Sequence, residues 1–383
     1  MAGASAQAGS GDGLSASALI RNWPPTARQS LKAVLGAVLL AALGGCSTVG
    51  YYWQAAHGEY ALLSAREPIS RLVAAPTTAP RLKARLEVAL QARHFASEHL
   101  DLPRNSSYTS YADVHRPFVV WNVYATPQFS VVPVSHCFPI AGCVAYQGYF
   151  SKAGAEAAAA RWRVRGDDTA VDGVPTFSTL GWFDDPVIST MLRWNNANLV
   201  GEIFHELAHQ KIYVKGDTQF NESYANFVER EGLRQWRATR KLPPMDGVAT
   251  KRADEFTQLM LATRKRLAKL YAHKLPADVM RARKADVFAD LDRRYRKLRD
   301  GAWHGYAGYD AFFRQPMNNA RLVPFGLYDK WVPGFRKLFE AHGREWPRFF
   351  AAVRQLKHET ARQRDAEMRR LTLDATHRTG PVA

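Results

Sequence analysis

The stretch Gly201-Glu202-Ile203-Phe204-His205-Glu206-Leu207-Ala208-His209-Gln210 constrains this chain more than any other. On a helix, residues four apart stand one above the other, so His205 and His209 project from one face toward one point. Two neutral imidazoles at that spacing can share a tetrahedral Zn²⁺. Glu206 lies beside the first imidazole, placed to take a proton from water at such a metal. The pair does not complete a site. A catalytic zinc needs three protein ligands and one open position, so the chain must bring a further donor back to this helix.

The next stretch supplies two candidates. The helix can run on about one turn, to Tyr213, before Lys215-Gly216-Asp217-Thr218 breaks it and restarts a second one. Gly serves as a C-cap and Asp or Thr as an N-cap. The second helix carries Asn221-Glu222-Ser223-Tyr224-Ala225-Asn226-Phe227-Val228-Glu229. In an antiparallel hairpin, Ala225 comes level with the middle of the histidine pair. Glu222 is then about 4.5 Å to one side along the axis and Glu229 about 6 Å to the other. The spacing favours Glu222 only slightly. Glu229 stands as the alternative ligand, or as a carboxylate that orients a ligand imidazole.

With 383 residues, 46% of them hydrophobic, and ten Trp, 15 Tyr and 19 Phe, the chain can build a sizeable core and is not a disordered one. Its net charge of +17 would suggest nucleic acid in a cytosolic protein. The amino terminus argues for export instead. Arg21, Arg28 and Lys32 precede an apolar run over 33–44 that is too short to span a bilayer and suits the core of a signal peptide. It ends in Leu43-Gly44-Gly45-Cys46, which resembles a bacterial lipobox. That resemblance implies cleavage before Cys46, lipidation of its thiol and, with Ser47 following, sorting to the outer membrane. We therefore expect residues 1–45 to be a lipoprotein signal peptide. The membrane is then a partner through lipidated Cys46, nucleic acid is not, and the basic surface meets anionic lipid or cell-wall polymer. An oxidising compartment also lets Cys137 and Cys143 pair across a short loop, although metal ligation by them stays open.

Residues 46–383 read as a single α+β domain: a small mixed or antiparallel sheet followed by a predominantly helical, zincin-like region. Residues 46–115 have helical periodicity interrupted at 75–80. Residues 116–185 are strand-rich, with aromatic and β-branched runs at 118–124, 143–150 and 176–183, and an Ala-rich helix at 153–163. The two site helices fall in 186–245. Residues 246–371 are helical again, with segments at 254–271, 277–298, 334–341 and 346–371 and a long Gly- and aromatic-rich loop at 303–327. A charged tail closes the chain at 372–383.

The combination at 201–210 and 221–229 resembles the zinc site of gluzincin aminopeptidases, whose pattern is His-Glu-x-x-His-Gln, a spacer, then Asn-Glu-Gly-Phe-Ala-x-Tyr-Val-Glu. That resemblance implies that Glu222 is the third ligand. The spacer here is shorter, and the Gly-x-Met-Glu-Asn segment that binds the substrate's free amine in those enzymes is absent from the sequence. The chain from 46 to about 340 also resembles a bacterial lipoprotein family of predicted aminopeptidases. It does so through the Cys46 lipobox, Cys-Phe-Pro-Ile-Ala-Gly-Cys at 137–143, Ser-Thr-Leu-Gly-Trp-Phe-Asp-Asp-Pro at 178–186 and Asn-Asn-Ala-Arg-Leu at 318–322.

The expectation is therefore metal-assisted hydrolysis of a peptide substrate. Zn²⁺ sits on His205, His209 and Glu222, and Glu206 is the general base and then the general acid. A free amine needs a carboxylate, for which Asp184 and Asp185 are candidates against a turn-forming role. Tyr306 and Tyr309 are candidate substrate contacts, with His304, Asn318 and Asn319 nearby in sequence. Residues 178–181 could act as an edge strand that pairs with peptide. Two other readings stay open: an inactive envelope scaffold or chaperone, and a zinc amidase acting on cell-wall peptides.

Overall fold

The computed structural model describes residues 49–138, 142–326 and 330–377. The signal segment and Cys46 lie outside the described residues. The chain divides into two compact units, one ending at His57 and one running from Gly58 to Ala383. Of the first, residues 49–57 are described and are helical. Everything below concerns the second. No helix among the described residues is long and apolar enough to cross a membrane.

The second unit opens with helical residues 58–64 and then gives strand β1 (Arg66–Pro68), helix α1 (Ile69–Ala74) and helix α2 (Pro80–His99). Strands β2 (Ser110–Ala112) to β6 follow: β3 (Val120–Thr126), β4 (His136–Phe138), β5 (Gly142–Val144) and β6 (Tyr146–Tyr149). Helix α3 (Lys152–Val164) leads to β7 (Asp168–Val174) and β8 (Val187–Ile188). The rest is helical: α4 (Asn196–Lys211), α5 (Thr218–Thr239), α6 (Gly247–Tyr271), α7 (Ala277–Lys297), α8 (Asp310–Phe313), α9 (Val332–Ala341), α10 (Trp346–His358) and α11 (Ala361–His377).

This is an α+β fold with three small sheets. One has the order β1-β2-β8, with β1 antiparallel and β8 parallel to β2. The second has the order β6-β3-β7 and is antiparallel throughout. The third is the β4-β5 hairpin, in which Cys137 stands opposite Cys143 and the two sulfurs are bonded.

Several boundaries differ from the sequence expectation, for local reasons. The 176–183 run is a loop. Thr179 N–H and Oγ1–H donate to the Asp185 carboxylate at 3.1 and 2.8 Å, and Leu180 and Gly181 take positive φ of 56° and 83°. Side-chain bonds of this kind compete with a strand ladder. The sheet's third strand is the more polar β7, which pairs with fully buried β3 over seven residues. The 346–371 helix is two helices. Thr360 N–H donates to Gln363 Oε1 and Gln363 N–H to Thr360 Oγ1, a capping box that starts α11, which runs on into the expected tail.

The main core packs α4 and α5 against α2, α9 and α10. On α5, Phe220, Tyr224, Phe227 and Val228 follow a helical stripe and are buried. Phe220 meets Phe335 at 5.1 Å between ring centroids and Phe227 meets Phe349 at the same separation. The opposite face of α5 looks at α4. There Gly232 lies where a Cβ would fall 3.0 Å from Phe204, and Gly201 where one would fall 3.0 Å from Glu229 Oε1. Bare glycines let the two helices approach. A separate aromatic cluster around Phe256, Tyr295 and Trp303 joins α6, α7 and the 303–326 segment.

Candidate metal centre

Helix α4 starts at Asn195, whose side chain accepts from Asn198 N–H at 2.8 Å, and ends at Lys211 before extended Ile212. Helix α5 starts at Asp217, whose carboxylate accepts from Phe220 N–H. Between them Gly216 takes φ +79°, a conformation that suits glycine. Asn221 then reaches back to Val214. It accepts from Val214 N–H and donates to Val214 O, each at 2.8 Å and each buried. The hairpin's register is thereby set from both sides of one peptide unit.

The result is a triangle of donor atoms. His205 Nε2 and His209 Nε2 are 3.1 Å apart, and Glu222 Oε2 lies 3.4 Å from the first and 3.7 Å from the second. Ligands about 2.0–2.1 Å from a tetrahedral centre stand about 3.3 Å from one another. The three edges straddle that value. Two ring nitrogens and one carboxylate oxygen, all in the interior, thus fit a single small cation such as Zn²⁺, and these three residues form a group able to hold a metal ion. On its far side, His205 Nδ1 faces Glu229 Oε2 at 3.2 Å. Glu229 is therefore behind the imidazole, not among the three converging donors.

The electrostatics point the same way. Burial pushes Glu222 up, but His209 and His205 beside it prevail and hold its carboxyl at about 2. Burial opposes the charged form of His205, yet Glu222 and Glu229 on either side drive it well above the imidazole range. Burial also lowers His209. Glu206 is raised to about 8, by burial first and against the pull of His205, with Glu202 and Glu222 adding to the rise. The site favours a positive charge at its centre.

Two segments that spacing arguments left unassigned form the rest of the surroundings. Thr176 lies beside Glu202 and Ser178 beside Glu206, while the Ser178 hydroxyl donates to Asp185 Oδ2 at 3.2 Å. Gln210, next to His209, accepts from Asn105 Nδ2 at 2.7 Å and donates to Ser107 Oγ and Asp185 Oδ2, both at 3.2 Å. Tyr108 is buried in the left-handed region at φ +64°, with Glu206, Asp185 and Glu202 as its charged neighbours. Tyr146 and Tyr213 both lie within electrostatic reach of Glu222. The sequence signal for the loop was its 178–186 stretch, and for Glu202 its place on the histidine face of α4.

Other expected contacts are elsewhere. Asp185 is 1% exposed, and its carboxylate is occupied by Thr179, Ser178 and Gln210, so it holds the loop and does not await a substrate amine. Asp184 is exposed, and its carbonyl accepts from Arg66. Tyr309 stacks on Phe256 at 4.0 Å within the Phe256 cluster, and the exposed Tyr306 lies under Arg252 at 4.5 Å. Asn318 and Asn319 bond Thr169 O and the Asp168 carboxylate. Residues 178–181 form a loop, not an edge strand.

Fold and site together define a helical α+β protein whose central hairpin carries His-Glu-x-x-His and a returning glutamate. The chain matches the family described as "Putative aminopeptidase" over residues 50–368 and belongs to that family. No curated protein matches it, and no solved structure does.

Proposed function

We propose that this chain is a zinc-dependent aminopeptidase of the bacterial envelope. The observation that carries the reading is the donor triangle of His205, His209 and Glu222, with edges of 3.1–3.7 Å and Glu206 next to its first member. Those three residues would hold Zn²⁺. When bound, the ion supplies Lewis acidity, which makes water acidic near neutral pH and polarises a carbonyl.

The protein's own groups do the rest. Glu206 takes a proton from water as the water oxygen bonds to the scissile carbonyl carbon. It then delivers that proton to the nitrogen as the C–N bond breaks. Ser178 lies beside the Glu206 carboxyl on a loop held by Asp185. Glu229 orients His205 through Nδ1. A group in the role of Glu206 serves turnover and has no use in a purely structural site, which favours an enzyme over a scaffold. Lipidated Cys46 would tether the enzyme to the outer membrane, facing the periplasm.

The test is full-length protein loaded with Zn²⁺, assayed on aminoacyl reporters, amino-blocked peptides and muropeptides. Cleavage of the aminoacyl reporters, lost in Glu206→Gln with zinc content preserved, is the expected result. Normal turnover by Glu206→Gln would overturn the mechanism, and activity confined to muropeptides would replace the substrate class.

A further inference from the structure

Gln210 is the penultimate residue of α4 and directly follows His209. Its half-buried side chain reaches two loops. Oε1 accepts from Asn105 Nδ2 at 2.7 Å, and Nε2 donates to Ser107 Oγ and to Asp185 Oδ2, both at 3.2 Å. Each loop is held in its own right. Buried Arg93 on α2 donates to the carbonyls of Pro103 and Asn105 at 2.7 Å and of Ser107 at 2.9 Å. The Asp185 carboxylate gathers the 176–185 loop through Ser178 Oγ, Thr179 N–H and Thr179 Oγ1 at 3.2, 3.1 and 2.8 Å. The loops also meet each other, Tyr108 N–H donating to Asp185 O at 2.6 Å and Asp185 N–H to Ser107 Oγ at 3.3 Å. Gln210 ties the pair to α4.

The metal group does not depend on these loops, because His205, His209 and Glu222 all come from α4 and α5. The surroundings of Glu206 do. Ser178 lies beside its carboxyl, and the Tyr108 hydroxyl lies beside Ser178 with Glu206 as its first charged neighbour. A carboxyl that takes a proton from water and returns it to a nitrogen must hold one orientation. A misplacement of about 1 Å costs on the order of 100-fold in rate.

We propose that Gln210 is a positioning residue for Glu206: its amide docks the 103–108 and 176–185 loops on α4 and so fixes the groups that face the carboxyl. This rests on the hydrolase reading above and adds a residue that governs turnover without touching metal or substrate. Ser178, Thr179 and Gln210 all donate to Asp185, a pattern that a carboxylate accepts in full and an asparagine side chain does not. Gln210→Glu sets a second carboxylate 3.2 Å from the first, and Asp185→Asn sets an amide nitrogen against the Gln210 amide nitrogen. The double variant restores a donor opposite an acceptor.

The experiment uses the full-length zinc-loaded protein with Gln210→Met, Gln210→Glu, Asp185→Asn and the Gln210→Glu/Asp185→Asn double variant. It measures kcat and KM on L-leucine p-nitroanilide, zinc by elemental analysis, and hydrogen exchange of peptides covering 103–108 and 176–185 by mass spectrometry. Gln210→Met keeps the size of the side chain and removes its three bonds. Its kcat should fall about 10–100-fold while KM and the zinc content hold, and exchange should quicken in both loops. Gln210→Glu and Asp185→Asn should each lose kcat as well, and the double variant should recover about tenfold over Gln210→Glu.

Faster exchange with an unchanged kcat in Gln210→Met would overturn the assignment and make the network a support for the fold alone. Loss of zinc would overturn it in favour of a prop for His209, and a rise in KM alone in favour of substrate binding. No recovery in the double variant would overturn the pairing of Gln210 with Asp185 as the route. A zinc-loaded wild type that cleaves no substrate would mean that the hydrolase reading had failed, and the positioning role with it. Unchanged exchange in Gln210→Met would separately overturn the docking of the loops, whatever the activity.

Discussion

Asn221 holds both backbone groups of Val214, and through them it sets where Glu222 meets the two histidines. The two 2.8 Å bonds tie the first turn of α5 to the connecting segment that follows α4. Asn221→Ala removes both and leaves the buried Val214 N–H unpaired, with Val214 O keeping only the 3.2 Å bond from Asp217 N–H. We expect a loss of about 2–3 kcal/mol in denaturant unfolding together with weaker zinc binding. Unchanged zinc affinity in a destabilised Asn221→Ala would show that the hairpin register does not depend on this residue.

Glu222 and Glu229 should separate cleanly in a metal titration. Glu222→Gln takes away one corner of the triangle, and the purified protein should carry less than a tenth of the zinc of wild type. Glu229→Gln removes only the carboxylate behind His205. Its zinc should stay near one equivalent while affinity falls about 10–100-fold. The reverse pattern by elemental analysis and competition with a chelator would exchange the two roles.

The Cys137–Cys143 bond closes a short hairpin that rests on the turn between the site helices. A Cβ at Gly142 would fall 2.6 Å from Gly216 N and 2.8 Å from the Lys215 side chain. Replacing both cysteines with serine should cost about 2 kcal/mol, the chain-entropy value for a loop this short. It should also lower the melting temperature measured with zinc present. If reductant leaves the wild-type melting curve unmoved, the hairpin does not support the turn.

Glu59 provides a pH signature outside the metal group. Burial, then Asp185, push it up to about 7, with Arg66 opposing, and neither of its oxygens has a hydrogen-bond partner. The folded state therefore binds this proton more tightly than the unfolded state, whose glutamate has the ordinary value of 4.5. Stability from this group is complete below about 4.5 and declines as pH rises toward 7. Because Glu59 is only partly buried, solvent screening limits the effect to about 1–2 kcal/mol. Glu59→Gln should flatten this part of the profile and be more stable than wild type at pH 8 in urea unfolding. A variant that follows the wild-type curve across pH 5–8 would remove Glu59 from the account.

How much of this was legible in the sequence depends on how local each feature is. His205, Glu206 and His209 share one helix, and their spacing states their relation outright. Glu222 follows after one tight turn, and spacing separated it only weakly from Glu229. The hydrogen bonds of Asn221 decide the register, and spacing alone does not contain them. The loop over 176–185 was misread because its β-branched and aromatic residues suit a strand. What folds it is the carboxylate of Asp185, which reads as a simple turn former. Strand β7 has the opposite history. Its own residues, Asp168, Asp172 and Gly173, argue against a strand, and its neighbour β3 imposes the ladder. Tyr306 and Tyr309 read as site candidates because they sit in a glycine-rich loop, but Tyr309 packs on Phe256 and the exposed Tyr306 lies against Arg252 and Tyr309.

The metal group closes over a short span, from His205 to Glu222, whereas the loops that face it come from residues near 107 and 180. Closing a short loop is entropically cheap and kinetically quick, and long-range docking is slower. The folding chain can therefore assemble the His205–His209–Glu222 group from one helical hairpin before the loops near 107 and 180 arrive. Assembly of the metal-holding group and closure of the loops around it are then separate events, and the second waits for parts of the chain that lie about a hundred residues upstream.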